Sequence, residues 1–193
     1  ITEDIELMIR IHKYHMDRDI PYRIEFIPEP LCWTEVPSDW KSLRGQRNRW
    51  HRGLFEVLMM HRDVTLNPRY GVIGMVAMPY YWVVEALSPL LEVIRYIIVL
   101  FAWYFDILPL GYWLGLTALV TIFGFLITHL AMGIEALLVR RYTRVSERLI
   151  LVLISLTEFF WYRQILLIER FRATFQVRSK RGEWGQLKRT GFE

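Results

Sequence analysis

The feature that most constrains this chain is the run from Leu110 to Ile134, which contains no charged side chain and whose most polar member is His129. A helix needs about 20 mostly apolar residues to cross a bilayer, and this run is longer. Because lipid offers backbone groups no hydrogen-bond partner, such a segment crosses as a helix. The sequence therefore predicts a mainly α-helical integral membrane protein.

A second apolar stretch, 71–105, is too long for one straight crossing and is interrupted by prolines and charges. We expect a shallow or partly inserted helix first, and a span at about 85–105. Glu92 and Arg95 would lie three residues apart on one face of that span, where each neutralises the other.

Basic residues decide between the possible topologies. Three segments are rich in Lys and Arg, namely 41–52, 140–148 and 170–193. Such segments favour the cytosolic side of a membrane. Two crossings, at about 85–105 and 110–134, place all three there. The remaining apolar segment, 149–168, carries Glu158, Arg163 and Gln164, so 140–170 is predicted to be an interfacial or re-entrant helix.

The first 62 residues are polar and are predicted to be cytosolic or interfacial. The pattern predicts a helix from Thr2 to about Asp17, a strand over 21–28, and a second helix from a Ser38 cap to about Met60. Elements this few do not build a core alone. We therefore expect them to pack onto a sheet that the chain does not contain.

Charge and composition exclude other classes of function. The net charge of +4 does not indicate nucleic-acid binding, because bases that flank apolar spans normally mark the cytosolic side. The five histidines have no nearby cysteine or acidic cluster, so no metal site is expected within the chain. Glycine-rich phosphate loops and GxSxG elbows are absent from the sequence.

Two short motifs are the candidates for chemistry. Thr2-Glu3-Asp4 is either an ordinary helix cap or a carboxylate placed to deprotonate a sugar hydroxyl. The second motif, Gln46-Arg47-Asn48-Arg49-Trp50 (the 46–50 motif), is either a basic helix resting on lipid headgroups or a binding site. In a binding site, the Gln and Arg side chains would donate to a pyrophosphate and the Trp would stack on a sugar ring.

In this order the two motifs resemble the TED and QxxRW motifs of processive family-2 glycosyltransferases, the synthases of cellulose, chitin, hyaluronan and poly-N-acetylglucosamine. The resemblance implies that Asp4, in the Thr2–Glu3–Asp4 triplet, is the general base. It also implies a set of residues that bind the diphosphate and acceptor: Gln46, Arg47, Arg49 and Trp50. The membrane helices that follow would form a channel for the polymer.

By itself the basic tail, 171–193, is typical of an ordinary juxtamembrane segment. With the family in view, it is similar to a cytosolic gating loop. Phe175, Val177 and Lys180 match the FxVTxK pattern of cellulose synthases, although Arg178 stands in place of its Thr. Trp184, followed by glycine, matches the start of the WGTR sequence of hyaluronan synthases. These residues would bind substrate, and the interfacial helix at 140–170 would precede the loop, as in the family.

The family's fold implies that 1–62 is the C-terminal part of a GT-A-like α/β domain and that 63–139 is a membrane domain. The donor-binding half, with DxD ligands for Mg²⁺ or Mn²⁺, would precede Ile1. The expected function is transfer of a sugar from a UDP-sugar to a growing β-linked polysaccharide in the cytoplasmic or inner membrane. Two alternatives are a non-processive transferase that uses a lipid-linked acceptor and a non-catalytic membrane subunit.

Overall fold

The computed structural model describes residues 2–25, 27, 32, 34–107, 109–138, 145–158 and 160–179. The elements are, in order, α1 (Glu3–Asp17), α2 (Trp40–Met60), a 3₁₀ turn (Pro68–Tyr70), a π-helical turn (Ile73–Ala77), α3 (Met78–Tyr80), a second π-helical turn (Tyr81–Ala86), α4 (Ser88–Tyr104), α5 (Leu110–Leu138), α6 (Val145–Glu158) and α7 (Tyr162–Gln176). The prediction of a mainly helical chain is confirmed. The chain divides into two compact units: the first comprises the residues up to Leu91 and those from Leu167 onward, and the second comprises Glu92–Leu166.

Helix α1 begins at the predicted place, but the Thr2 hydroxyl does not cap it. The carbonyl oxygen of Thr2 accepts a hydrogen bond from the Glu6 amide at 3.2 Å. The Oγ1 atom of Thr2 is enclosed and has no hydrogen-bond partner among the described residues. The three acidic residues of the first turn, Glu3, Asp4 and Glu6, instead favour this end through the helix dipole.

The strand predicted over 21–28 is wrong where the structure describes it, because residues 21–25 and 27 have no regular secondary structure. Extended backbone becomes a strand only when a second segment pairs with it. The described residues supply no such partner. Phe26 and Pro28 lie outside the described residues. The GT-A-like α/β domain accordingly stays a prediction.

Helix α2 ends at Met60 as predicted, but its cap is Asp39 and not Ser38. The Asp39 carboxylate accepts from the Ser42 amide at 2.9 Å and from the Ser42 hydroxyl at 2.7 Å. A carboxylate can accept both bonds at once and also favours the positive end of the helix dipole. The helix therefore starts one residue later than expected.

The core of the first unit lies between α1, α2 and the helical turns that follow α2. Ile9 of α1 packs with Leu58 of α2 and Met78 of α3, all of them buried. Gly74 is buried beside a neighbouring turn, and a Cβ atom placed on it would lie 2.4 Å from the carbonyl oxygen of Asn67. This close approach of two backbones requires glycine.

Helix α5 contains the predicted span. Among the described residues, Leu110–Ile134 is the one helix that by itself is long and apolar enough to cross a membrane. On length and composition alone, it supports membrane association. Helix α4 has 17 residues, fewer than the roughly 20 of a straight crossing. The second span, at about 85–105, therefore stays a prediction. The predicted ion pair between Glu92 and Arg95 is confirmed, at 3.2 Å.

The apolar segment at 149–168 is divided between α6 and α7. The two parts, Leu149–Glu158 and Tyr162–Gln176, meet at a bend of 51°. Together they have the length and composition of a broken span or of a re-entrant loop. Both geometries are compatible with the bend, so the interfacial or re-entrant placement of 140–170 is still a prediction.

The polar residues in the middle of that segment have partners within the second unit. Arg163 Nη2 donates to Glu158 Oε1 and to Thr128 Oγ1, each at 3.3 Å. Gln164 Oε1 accepts from the Tyr96 hydroxyl at 3.2 Å. An unpaired polar group in apolar surroundings is costly. These pairs therefore lower the cost of placing the segment against or within a bilayer.

Candidate functional site

The Thr2–Asp4 triplet lies at the start of α1. Glu3 and Asp4 are both exposed to solvent in the first turn. The backbone dipole of the helix favours negative charge at this end. The Asp4 carboxylate is therefore accessible to solvent and lies at the end of α1 where a negative charge is favoured.

Polar pairs fasten α1 to the residues after α2. Glu6 bonds to His61 at 3.3 Å, and Lys13 pairs with Asp63. Partial burial raises the pKa of Glu6, but hydrogen bonds from Arg10 and His61 outweigh it, so the pKa lies below its ordinary value. The Lys13–Asp63 hydrogen bond raises the pKa of Lys13 and lowers the pKa of Asp63. Both pairs stabilise the position of the helix that carries Asp4.

The 46–50 motif lies in the middle of α2, and its side chains differ in exposure. Arg49 is 8% exposed and Trp50 is 46% exposed, while Gln46 and Arg47 are half-buried. The Arg47 guanidinium lies 4.7 Å from the centre of the Trp50 ring, in a cation–π contact. Trp50 therefore presents an ordered, partly exposed aromatic surface.

Helix α7 packs against α2 through a buried carboxylate. Glu169 is 7% exposed, and its Oε1 atom accepts from Arg44 Nε at 2.7 Å and from Arg172 Nη1 at 3.2 Å. A buried charge destabilises a fold unless partners compensate it. The two arginines provide that compensation, and Arg44 joins the carboxylate to α2.

Directly after the motif, His51 is buried and bonded to Thr174 of α7, with 3.0 Å between Nε2 and Oγ1. The Thr174 hydroxyl donates to the carbonyl oxygen of Arg170, so it accepts from His51, whose Nε2 carries the proton. Burial, followed by the nearby charge of Arg170, lowers the pKa of His51 to about 4. His51 is therefore neutral near pH 7 and acts as a fixed donor.

A third contact involves the motif itself. Asn48 donates from Nδ2 to Gln176 Oε1 at 3.1 Å and accepts at Oδ1 from Arg52 Nε at 3.1 Å. Gln176 stands between Phe175 and Val177, two of the residues predicted for the gating loop. The structure thus brings the 46–50 motif together with the start of the segment 175–179.

Four residues were predicted for the gating loop, and the structure describes two of them. Phe175 is 67% exposed, and Val177 is half-buried. Lys180 and Trp184 lie outside the described residues. Asp4 lies at the start of α1, and the 46–50 motif lies in the middle of α2. A single site that contains both stays a prediction.

Sequence reasoning missed the residues that hold α7 against α2. They are Arg44, His51, Glu169, Thr174 and Gln176. One signal was present, because Arg44, Asn48 and His51 recur at helical spacing and predict a polar stripe on α2. Such a stripe indicates a polar partner but does not identify it.

Within the described part of the chain, no group of three or more His, Cys, Asp or Glu side chains could hold a metal ion. The Mg²⁺ or Mn²⁺ ion expected for the parent enzyme does not fit these residues.

The chain is similar to known proteins over part of its length. A family model described as "Glycosyl transferase family group 2" matches residues 1–164. The "Probable glycosyltransferase YdaM" of Bacillus subtilis (strain 168) is 38% identical over 53 residues, which are 28% of this chain. That match spans only 11% of the length of the relative. No solved structure matches the chain.

Proposed function

The chain belongs to glycosyl transferase family group 2, and from this membership we propose that it is part of a membrane-embedded inverting glycosyltransferase. The enzyme moves a sugar from a UDP-sugar to a growing β-linked polysaccharide. Its family supports a nucleotide-sugar donor and an acceptor as substrates. Processive synthesis, a UDP-linked donor and a polysaccharide product go beyond the family match and are part of the proposal.

In this proposal Asp4 accepts the proton of the acceptor hydroxyl. The hydroxyl oxygen attacks the anomeric carbon from the face opposite the diphosphate, and the bond between that carbon and the diphosphate oxygen breaks. UDP leaves with the electron pair of that bond, and the configuration at the carbon inverts. The exposure of Asp4 supports this role, because its carboxylate is accessible to an acceptor hydroxyl.

The 46–50 motif binds the leaving diphosphate and the acceptor in this scheme. Gln46, Arg47 and Arg49 supply donors to the phosphate oxygens, and a guanidinium suits that geometry. Trp50 stacks on the acceptor sugar. The observation that carries the proposal is the hydrogen bond from Asn48, within this motif, to Gln176, because Gln176 is the direct neighbour of Phe175 in the predicted loop.

The other parts of the parent enzyme are proposed to complete the site. The donor-binding half of a GT-A-like domain and the ligands of a Mg²⁺ or Mn²⁺ ion would lie outside the described residues. The membrane helices, with α5 as the best supported, would hold the site at the cytosolic face of the membrane. The segments 1–62 and 171–193 would both be cytosolic.

The test is UDP release by the full-length parent protein in nanodiscs, with a panel of UDP-sugars and either Mg²⁺ or Mn²⁺. Turnover with one donor is expected, and the product's anomeric configuration reports inversion. Asp4→Asn should lower kcat by about 10²–10⁴-fold, the usual contribution of a general base. Asp19→Asn is the matched control, since Asp19 is exposed just after α1 and has a φ of 51° that Asn tolerates.

The outcomes separate the possibilities. Turnover that persists in Asp4→Asn would remove Asp4 as the base. Transfer of a single sugar to a lipid-linked acceptor would replace processive synthesis by the non-processive alternative. Binding to membranes with no turnover for any donor would favour a non-catalytic subunit.

A further inference from the structure

We propose that Asn48 and Gln176 are positioning residues, which hold the 46–50 motif and the segment 175–179 in one fixed arrangement. The inference rests on the proposed function, since it assigns both segments to one substrate site. Neither residue needs to touch substrate in this role.

The hydrogen bonds of Asn48 fix the orientation of its amide. A guanidinium has donors and no acceptor, so Asn48 must present Oδ1 to Arg52 Nε, at 3.1 Å. Its Nδ2 group then faces Gln176, which must in turn present Oε1, at 3.1 Å. Both amides are therefore held in one orientation, and the contact cannot be made with either of them flipped.

Asn48 and Gln176 are both direct neighbours of residues that are predicted to bind substrate. Asn48 stands between Arg47 and Arg49, and Gln176 stands between Phe175 and Val177. A rotation of α2 about its axis, or a movement of the last turn of α7, would break the bond. The bond therefore couples the segment 175–179 to the helix that carries the diphosphate-binding side chains.

Two neighbouring contacts make this coupling stiff. The His51–Thr174 bond and the Arg44–Glu169 ion pair join the same two helices on either side of Asn48. Asn48 is distinguished from them because it lies within the motif. It is therefore the contact through which α7 acts on Arg49 and Trp50.

A double-mutant cycle tests the link in the parent protein. Gln176→Ala should lower kcat about fivefold, as expected for one hydrogen bond, and Asn48→Ala at least as much, because it also loses the bond from Arg52. KM for the donor should change less than about twofold in both. The double variant should be no worse than Asn48→Ala alone, because Asn48→Ala has already removed the bond that Gln176→Ala removes. The exchanged pair N48Q/Q176N keeps both amides and should recover most of the activity.

Hydrogen–deuterium exchange gives a readout that does not depend on turnover. Gln176→Ala should raise amide exchange in 44–54, whereas Gln164→Ala should not, because Gln164 of the same helix bonds to Tyr96 in the second unit. Unchanged exchange in 44–54 would overturn the link, whatever the activity. Losses of kcat that multiply in the double variant, or an unchanged kcat in both single variants, would overturn the positioning role. If the unsubstituted protein has no turnover, the proposed function fails, and exchange alone decides whether the link exists.

Discussion

Replacing Glu169 by Gln tests whether a buried ion pair holds α7 against α2. The side chain of Glu169 is 9% exposed, whereas those of its partners Arg44 and Arg172 are 47% and 56% exposed. Gln has nearly the same shape, so the substitution removes the charge and leaves the packing intact. In one of its two orientations, the new Gln side chain would also turn its NH₂ group toward the arginines, where two donors would face each other.

The exposure of the partners sets the size of the effect. Removing one partner of a fully buried pair costs about 3–5 kcal/mol, because the other charge is left buried and uncompensated. Here both arginines can regain water, so that penalty does not apply. What is lost is the strength of the hydrogen bonds to a charged acceptor, about 1.5–3 kcal/mol. Since the Gln oxygen keeps part of this, we expect a loss of about 1–2 kcal/mol.

Thermal or urea unfolding of the parent protein in nanodiscs, followed by circular dichroism, measures the change. The control is Glu25→Gln, which makes the same chemical change in the exposed pair of Glu25 with Arg23, where the side chains are 65% and 85% exposed. Exposed pairs contribute little, so the control should lose less than about 0.5 kcal/mol. Equal losses in the two variants would show that Glu169 does not hold the helices together.

Two further predictions concern stability. His51 has a pKa of about 4 in the folded protein, against 6.5 ordinarily. Between these two pH values, the unfolded chain binds a proton at His51 that the folded protein does not. The free energy of unfolding should therefore fall as the pH drops from about 6.5 to about 4. For one proton, the free energy of unfolding changes by at most about 1.4 kcal/mol per pH unit. Urea unfolding at a series of pH values should show that His51→Gln removes this part of the pH dependence. Parallel curves of unfolding free energy against pH for the two proteins would refute the assignment. Gly74→Ala should cost about 1–3 kcal/mol in the same assay, because its Cβ would lie 2.4 Å from the Asn67 carbonyl oxygen. Gly45→Ala in α2 is the control, since it meets nothing within 4 Å and should be neutral or stabilising, and equal losses in both would contradict the steric argument.

The elements that could be predicted from the sequence are those with a local signal. Acidic residues at the start of α1, the end of α2 at Met60 and the uncharged run from Leu110 to Ile134 all depend on residues close together in the chain. The ion pair of Glu92 with Arg95 was predictable for the same reason, since helical spacing alone brings the two residues together.

The predictions that failed depended on partners or on small differences in energy. An alternating pattern predicted a strand at 21–28, but alternation does not supply a second strand. Ser38 and Asp39 are both good caps, and the pattern does not show which one accepts from Ser42. Here the carboxylate accepts two hydrogen bonds from Ser42, one more than the single bond required of a cap.

The candidate site shows the same division between local and distant information. The motifs identify residues whose chemistry suits a substrate, and these carry the resemblance to a family. The polar stripe on α2 does not identify its partners on α7, because these are distant in the sequence: Asn48 and Gln176 are 128 positions apart. Glu169, seen in the sequence, is one more charge beside a basic tail. Its role follows only from its burial between Arg44 and Arg172. For this chain, sequence motifs therefore predict which side chains would meet substrate, and the packing of α7 on α2 is needed to infer what positions them.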